Sequence, residues 1–191
     1  MKKIKLPSGV EDRKWFKPWI SVDDKNAVNK TLNQTMLTLG PQLEKFESNF
    51  SKYTKSKYAV AVSNCTAALH LSLKALGIKK NDEVIIPDLT FVADANAVLA
   101  CNAKPVITDI NKENFFLSVT NVKKNITKKT KAIIPVHIYG QVCNIEEILD
   151  VARDNDLKVI EDCAHAVGTF HNSKHVGNLG NTGCFSFYPT K

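Results

Sequence analysis

Two periodicities divide the chain. Between residues 21 and 54 the apolar positions recur at helical spacing, and from residue 58 short Val/Ile/Ala runs alternate with amphipathic stretches. "SVDDKNAVNKTLNQTM" opens on Ser21, whose side chain can accept from the N–H groups of a first turn, with two acids behind it. That opening predicts a helix. "PQLEKFESNFSKYT" sets Leu43, Phe46 and Phe50 on one helical face. Ahead of both, residues 1–20 carry Pro, Gly and three aromatics without a period. They are expected to form an irregular arm packed by Trp15, Phe16 and Trp19.

The second part reads as alternating strands and helices. Strands are expected at "YAVAVS" (58–63, buried), "DEVIIP" (82–87), "KPVITDI" (104–110), "KAIIPVHI" (131–138), "LKVIEDC" (157–163) and "GCFSFYP" (183–189). Helices are expected at "TAALHLSLKALG" (66–77, closed by Gly77), "FVADANAVLACN" (91–102) and "NIEEILDVARDND" (144–156). "HNSKH" (171–175) has the composition of a hairpin turn. Near-continuous apolar strands between helices predict an α/β fold, three layers with a mostly parallel sheet covered on both faces. In such sheets ligands bind outside the carboxyl ends of the strands. The residues to weigh are therefore 63–66, 88–91, 137–140, 162–165 and 186–191.

Composition narrows the class. With 43% hydrophobic and 24% charged residues, the chain has ordinary globular proportions. No apolar run approaches the roughly 20 residues of a membrane span, and the basic start lacks an apolar segment behind it. A cytoplasmic protein without membrane contact is expected. Five cysteines stand singly, with no C-x-x-C pair, so they read as free thiols, and no metal site is expected. The net charge of +7 is diffuse and densest over "VKKNITKKTK" (122–131). Without aromatic interleaving it reads as a solvated helix face and loop, and no nucleic-acid partner is expected.

The strand-end residues suggest one chemistry as a set. "SNCTAAL" passes from a strand to a helix start near Thr66, where free N–H groups and the helix dipole favour an anion such as a phosphate. Neither a Walker A loop nor G-x-G-x-x-G is present, which disfavours a nicotinamide-binding domain. Asp162 ends an apolar strand, as either a helix cap or the partner of a cation such as a protonated pyridine nitrogen. His165 is either a packing residue or an acid–base group. Phe91 opens a helix, either as core or as one wall of a flat site. Lys191 follows the last strand. A lysine, a phosphate cradle, a buried Asp and an aromatic wall are the parts of a pyridoxal 5′-phosphate site.

With these residues in place, the chain resembles the DegT/DnrJ/EryC1/StrS sugar aminotransferases, within fold-type I pyridoxal-phosphate enzymes. The stretches that carry the resemblance are "TLGPQLEKFESNF", "AVAVSNCTAALHLSLKALGI", "DEVIIPDLTFVADANAVLACNAKPVITDI", "TKAIIPVHIYGQVCNIEEILDVARDNDLKVIEDCAHAVGT" and "VGNLGNTGCFSFYPTK". They run nearly continuously over about residues 35–191. The resemblance implies a pyridoxal-phosphate-binding large domain over 35–191, incomplete at its C-terminal side, behind an arm and helix over 1–34. It implies that Lys191 is the Schiff-base lysine and shuttles a proton, and that Asp162 partners the pyridine nitrogen. Thr66, with the amides of Cys65 and Thr66, matches the phosphate cradle, and Ser186 a hydroxyl beside it. Phe91 matches the stacked aromatic, and His165 a residue beside the cofactor's phenolic oxygen. Asn64 is a weaker candidate. Cys65 departs from the glycine common at that position.

The implied reaction moves an amino group, from glutamate, to a keto group of a nucleotide-linked deoxysugar, for polysaccharide or antibiotic sugar synthesis in a homodimer. Members of the family are roughly twice this length and carry a small C-terminal domain. A fragment or a truncated product is therefore expected, with a non-catalytic remnant as the alternative. A related pyridoxal-phosphate sugar 3-dehydratase is a further alternative, but it has His where Lys191 stands.

Overall fold

A computed structural model describes residues 18–191. The expected arm therefore lies outside the described residues up to residue 17. Trp19 falls within them and is 87% exposed, so it does not pack as expected.

Helix α1 (Val22–Leu32) rests on its cap. Ser21 Oγ accepts from Asp24 N–H at 3.1 Å, and an Asp24 carboxylate oxygen accepts from Ser21 N–H at 2.8 Å. This reciprocal pair satisfies two otherwise orphaned donors. No residue of α1 is buried, so local chemistry rather than packing holds it. Helix α2 (Pro41–Thr54) starts on Pro41, whose fixed φ suits a first helical position. Its Phe50 meets Phe185 and Phe187 edge-on at 5.1 and 5.4 Å, which docks α2 on the segment leading to Lys191.

The central layer is a five-stranded sheet, parallel throughout, in the order β2-β1-β3-β4-β7. Its strands are β1 (Glu83–Pro87), β2 (Lys104–Thr108), β3 (Thr130–Ile133), β4 (Lys158–Asp162) and β7 (Thr182–Cys184). Strand alternation sorts its side chains into two cores. Val84, Ile86, Ala132, Ile134 and Ile160 join Leu69 and Leu73 of α3 (Cys65–Ala75) and Ala97 and Val98 of α4 (Ala93–Ala100). Ile85, Ile133 and Val159 face the other way, onto Val122 of α5 (Val119–Asn125) and Ile145, Ile148 and Val151 of α6 (Ile145–Asp154). The three-layer α/β/α arrangement is thus as the pattern predicts. The hairpin is also present. Strands β5 (Phe170–His171) and β6 (Lys174–His175) pair across Asn172 and Ser173, both left-handed at φ 47° and 65°, as a tight hairpin turn requires.

Two expectations are corrected. Residues 58–62 are not a buried strand. Tyr58 and Val60 are 75% and 78% exposed, and no strand among the described residues lies beside them. A strand needs a neighbour for its N–H and C=O groups; here the Ala61 N–H goes instead to Glu47 Oε1 at 2.8 Å. The last strand is shorter than expected, because Phe185 and Phe187 turn to α2 rather than extending the ladder. Helix α5 supplies the first part of the solvated helix face and loop expected over 122–131: Val122 is fully buried, Val119 and Ile126 pack against the same core, and Lys123 and Lys124 fill the last turn.

Glu161 ties this framework together. It is 0% exposed within β4 and accepts four hydrogen bonds. Leu179 and Gly180 N–H reach one oxygen at 2.8 and 2.7 Å, and Gly177 N–H and His137 Nε2 reach the other at 2.8 and 2.9 Å. His137 Nδ1 accepts from Cys143 N–H, so its proton sits on Nε2 and points at the carboxylate. The loop 177–180 is thereby pinned to β4 and delivers the chain into β7. Gly177 (φ +88°) and Gly183 meet so closely that a Cβ on Gly183 would lie 2.6 Å from the Gly177 carbonyl oxygen.

Burial alone would raise the Glu161 pKa, but the donors outweigh it and hold the carboxyl below its ordinary value. A depressed carboxyl stabilises the fold above its unfolded pKa, and that contribution is lost as pH falls through the folded value. Glu161→Gln should cost about 3 kcal/mol in urea unfolding at neutral pH, since it turns an amide N–H toward backbone donors. The deficit should shrink as the solution is acidified.

Candidate active site

Helix α3 begins at the carboxyl side of the sheet. Asn64 is extended and caps it, its Oδ1 accepting from Ala67 N–H at 2.9 Å while its carbonyl accepts from Ala68 N–H at 3.1 Å. The Cys65 and Thr66 N–H groups have no acceptor among the described residues and carry the positive end of the helix dipole. They are therefore free donors for an anion. Cys65 and Ser186 line one open groove of about 920 Å³, bordered also by residues 58–64 and 177–183. Ser186 is half-buried and accepts from Tyr188 N–H at 3.4 Å. Asn64 thus orders the anion site as its cap.

Asp162 closes β4 and is 5% exposed. Its backbone is clamped to the segment beyond β3, its N–H donating to Pro135 O at 2.9 Å and its carbonyl accepting from His137 N–H at 3.0 Å. One carboxylate oxygen accepts from Ala164 N–H at 2.8 Å. No donor among the described residues reaches the other, Oδ2. Burial pushes the carboxyl above its ordinary value, against the Ala164 hydrogen bond and the charge of Lys191. Such a group calls for a cation or a strong donor at Oδ2.

His165 is exposed and lies flat on Tyr139, ring centroids 5.6 Å apart and planes at 18°. Tyr139 N–H donates to His165 Nδ1 at 3.4 Å, which leaves the neutral ring's proton on Nε2. Partial desolvation first, and the Lys191 charge second, lower its pKa, so at neutral pH it is an N–H donor rather than a cation. Tyr139 itself sits at φ 54°, ψ 30°, a left-handed conformation that is costly for an aromatic residue. Its one sequence signal is its place just after β3.

Lys191 is exposed, and its N–H donates to Tyr188 O at 2.8 Å. Its charge acts on Asp162, His165 and Cys65, so these four residues share one electrostatic neighbourhood. Phe91 stands at the start of α4, 74% exposed, which makes its ring a free face and not core. No hydrogen bond or aromatic contact joins Phe91 or the Thr66 hydroxyl to the set. Burial raises the thiol pKa of Cys65, and that of Cys184 to about 12, so neither is a thiolate nucleophile. His137, Glu161 and Cys163 bring ligand-type atoms within 4.8 Å of one another. Four donors already surround the Glu161 oxygens, and burial keeps Cys163 protonated, so this trio is a structural network. Another buried carboxyl, Asp94 on α4, had no sequence signal beyond standing near a strand end; burial and the Asp162 charge push its pKa up to about 8.

An anion cradle, a buried carboxylate with one free oxygen, a free aromatic face and an amine are the donor set that a phosphorylated, protonated pyridine aldehyde needs. The residues present therefore fit pyridoxal 5′-phosphate.

Known proteins bear on this set. The model of the DegT/DnrJ/EryC1/StrS aminotransferase family matches residues 18–191. GDP-perosamine synthase of Vibrio cholerae is 41% identical over 177 residues, covering 92% of this chain and 48% of its own length. The aminotransferase from Psychrobacter cryohalolentis superposes with a TM-score of 0.87 at 36% identity, covering 92% of this chain and 46% of that one. NtdA from Bacillus subtilis, with bound cofactor PMP, does so with a TM-score of 0.81 at 36% identity, covering 89% and 39%. The chain thus spans about half the length of the curated relatives it matches.

Asn64→Ala should cost about 1 kcal/mol of stability through the lost cap. It should also loosen the first turn of α3, read as faster amide exchange at Ala67.

Proposed function

Starting from the fact that the chain belongs to the DegT/DnrJ/EryC1/StrS aminotransferase family, we propose that its protein transfers an amino group from glutamate to a keto group of a nucleotide-linked deoxysugar. The observation that carries this reading is Asp162, a buried carboxylate with one free oxygen in the electrostatic neighbourhood of Lys191. When bound, pyridoxal 5′-phosphate supplies an electron-accepting ring on which the amino group can be exchanged.

The chain's own residues do the rest. The Cys65 and Thr66 N–H groups would hold the phosphate, with the Thr66 and Ser186 hydroxyls contributing. Asp162, through its free Oδ2, would keep the ring nitrogen protonated, and its burial would strengthen that pairing. Phe91 would shield the ring from water. His165 would offer its neutral Nε2–H as a donor. Lys191 Nζ would hold the cofactor and would move the proton at the substrate carbon.

Residues 35–191 act as the cofactor-binding part of the large domain, behind the 1–34 segment, in a cytoplasmic homodimer. The amino-sugar product serves polysaccharide or antibiotic sugar synthesis. The nucleotide-sugar assignment draws its support from relatives such as GDP-perosamine synthase.

The test supplies the protein with pyridoxal 5′-phosphate, glutamate and a panel of nucleotide-linked keto-sugars, and measures 2-oxoglutarate. Lys191→Ala should abolish turnover. Asp162→Asn should lower kcat by about 10²–10³-fold, the range of one lost electrostatic stabilising group. Turnover unchanged in either variant overturns the assignment.

A further inference from the structure

Asp94 lies in the first turn of α4, just past the carboxyl end of β1, and is 0% exposed. One carboxyl oxygen, Oδ2, accepts from the Thr90 hydroxyl at 2.6 Å. The other, Oδ1, is buried and has no partner at all among the described residues. No cation among the described residues contacts it. An ionised carboxylate with a bare, buried oxygen is one of the costliest arrangements a protein interior can hold.

The groups around it make the charge costlier still. Asp162 acts on Asp94 from the end of β4. Cys65 of α3 and Cys184 of β7 both feel the Asp94 charge, and burial keeps both thiols neutral. Lys191 acts on Asp162 and Cys65 and is not among the groups acting on Asp94. Two buried carboxyls that act on each other, with the Lys191 charge acting on Asp162 alone of the two, do not both ionise.

We propose that Asp94 is a positioning residue of this site: it keeps a proton on Oδ1, so that Asp162 alone carries the negative charge of the pair. The role of Asp162 toward a ring nitrogen rests on the reading under Proposed function; the protonation of Asp94 does not. Neutral Asp94 leaves Asp162 free to turn its charge to the ligand side. Ionising Asp94 adds a second charge beneath the crevice.

The first measurement is infrared difference spectroscopy of the cofactor-free protein at about pH 6, above the ordinary carboxyl range. Wild type should show a protonated-carboxyl stretch that Asp94→Asn removes and Asp162→Asn retains. No such band in wild type, or a band lost in Asp162→Asn but kept in Asp94→Asn, overturns the proposal. A third variant covers the case in which Asp94→Asn does not fold. Thr90→Val removes the donor that lowers the Asp94 pKa, so the pH at which the band disappears should move up; a midpoint that stays or falls contradicts the proposal.

Stability gives an independent readout. The Asp94 pKa is raised, so its favourable contribution is complete below the unfolded value and is lost as pH rises toward about 8. The ratio of unfolding constants, wild type over Asp94→Asn, should therefore grow by up to tenfold per pH unit across that window and then level off. A flat ratio overturns the proposal. All these measurements are made without cofactor, so a failure to bind pyridoxal 5′-phosphate leaves their outcome untouched.

Discussion

A single buried carboxylate holds the site's framework. Glu161 sits next to the end of β4 with no solvent exposure, and its four donors come from the loop before β7 and from the segment after β3. A charge that deep is tolerated because its acceptor positions are filled. Asp162 is the next residue, so the network that satisfies Glu161 also aims Asp162. Strand alternation turns the two carboxylates to opposite faces. One is saturated and structural; the other keeps a free oxygen.

Around that free oxygen the crevice is electrostatically uneven. Unbonded N–H groups at the start of α3 present partial positive charge, Lys191 a full one, and Asp162 the opposing negative one. His165 is held neutral and aimed by the Tyr139 backbone. Each group is set by a different element: α3, β4, the turn after β3 and the segment after β7. Their convergence follows from a parallel sheet, which brings every strand's carboxyl end to one edge.

Much of this was legible in the sequence because it rests on local rules. The 2.0 and 3.6 periodicities placed four of the five sheet strands and the long helices to within a few residues. The Ser21 cap and the 171–175 hairpin follow from side-chain chemistry at single positions. The misreadings have a common cause. "YAVAVS" has the pattern of a buried strand, but pattern does not supply a pairing partner, and residues 58–62 have none among the described residues. The last strand ended early because aromatic contacts with α2 won over the ladder. In the site, Asp162, Lys191, Cys65 and His165 could be picked out because each follows a strand or opens a helix. Glu161 and Asp94 could not, because Glu161 works through contacts 16 or more residues away and Asp94 through burial, neither of which a local pattern encodes.

The central claim is that these residues form one pyridoxal-phosphate site whose covalent partner is Lys191. The most direct measurement is peptide mapping by mass spectrometry after the protein, loaded with pyridoxal 5′-phosphate, is reduced with borohydride. The account predicts a single phosphopyridoxyl-lysine, at position 191, accompanied by loss of a visible absorbance band. Label spread over surface lysines, or confined to a different one, would contradict it.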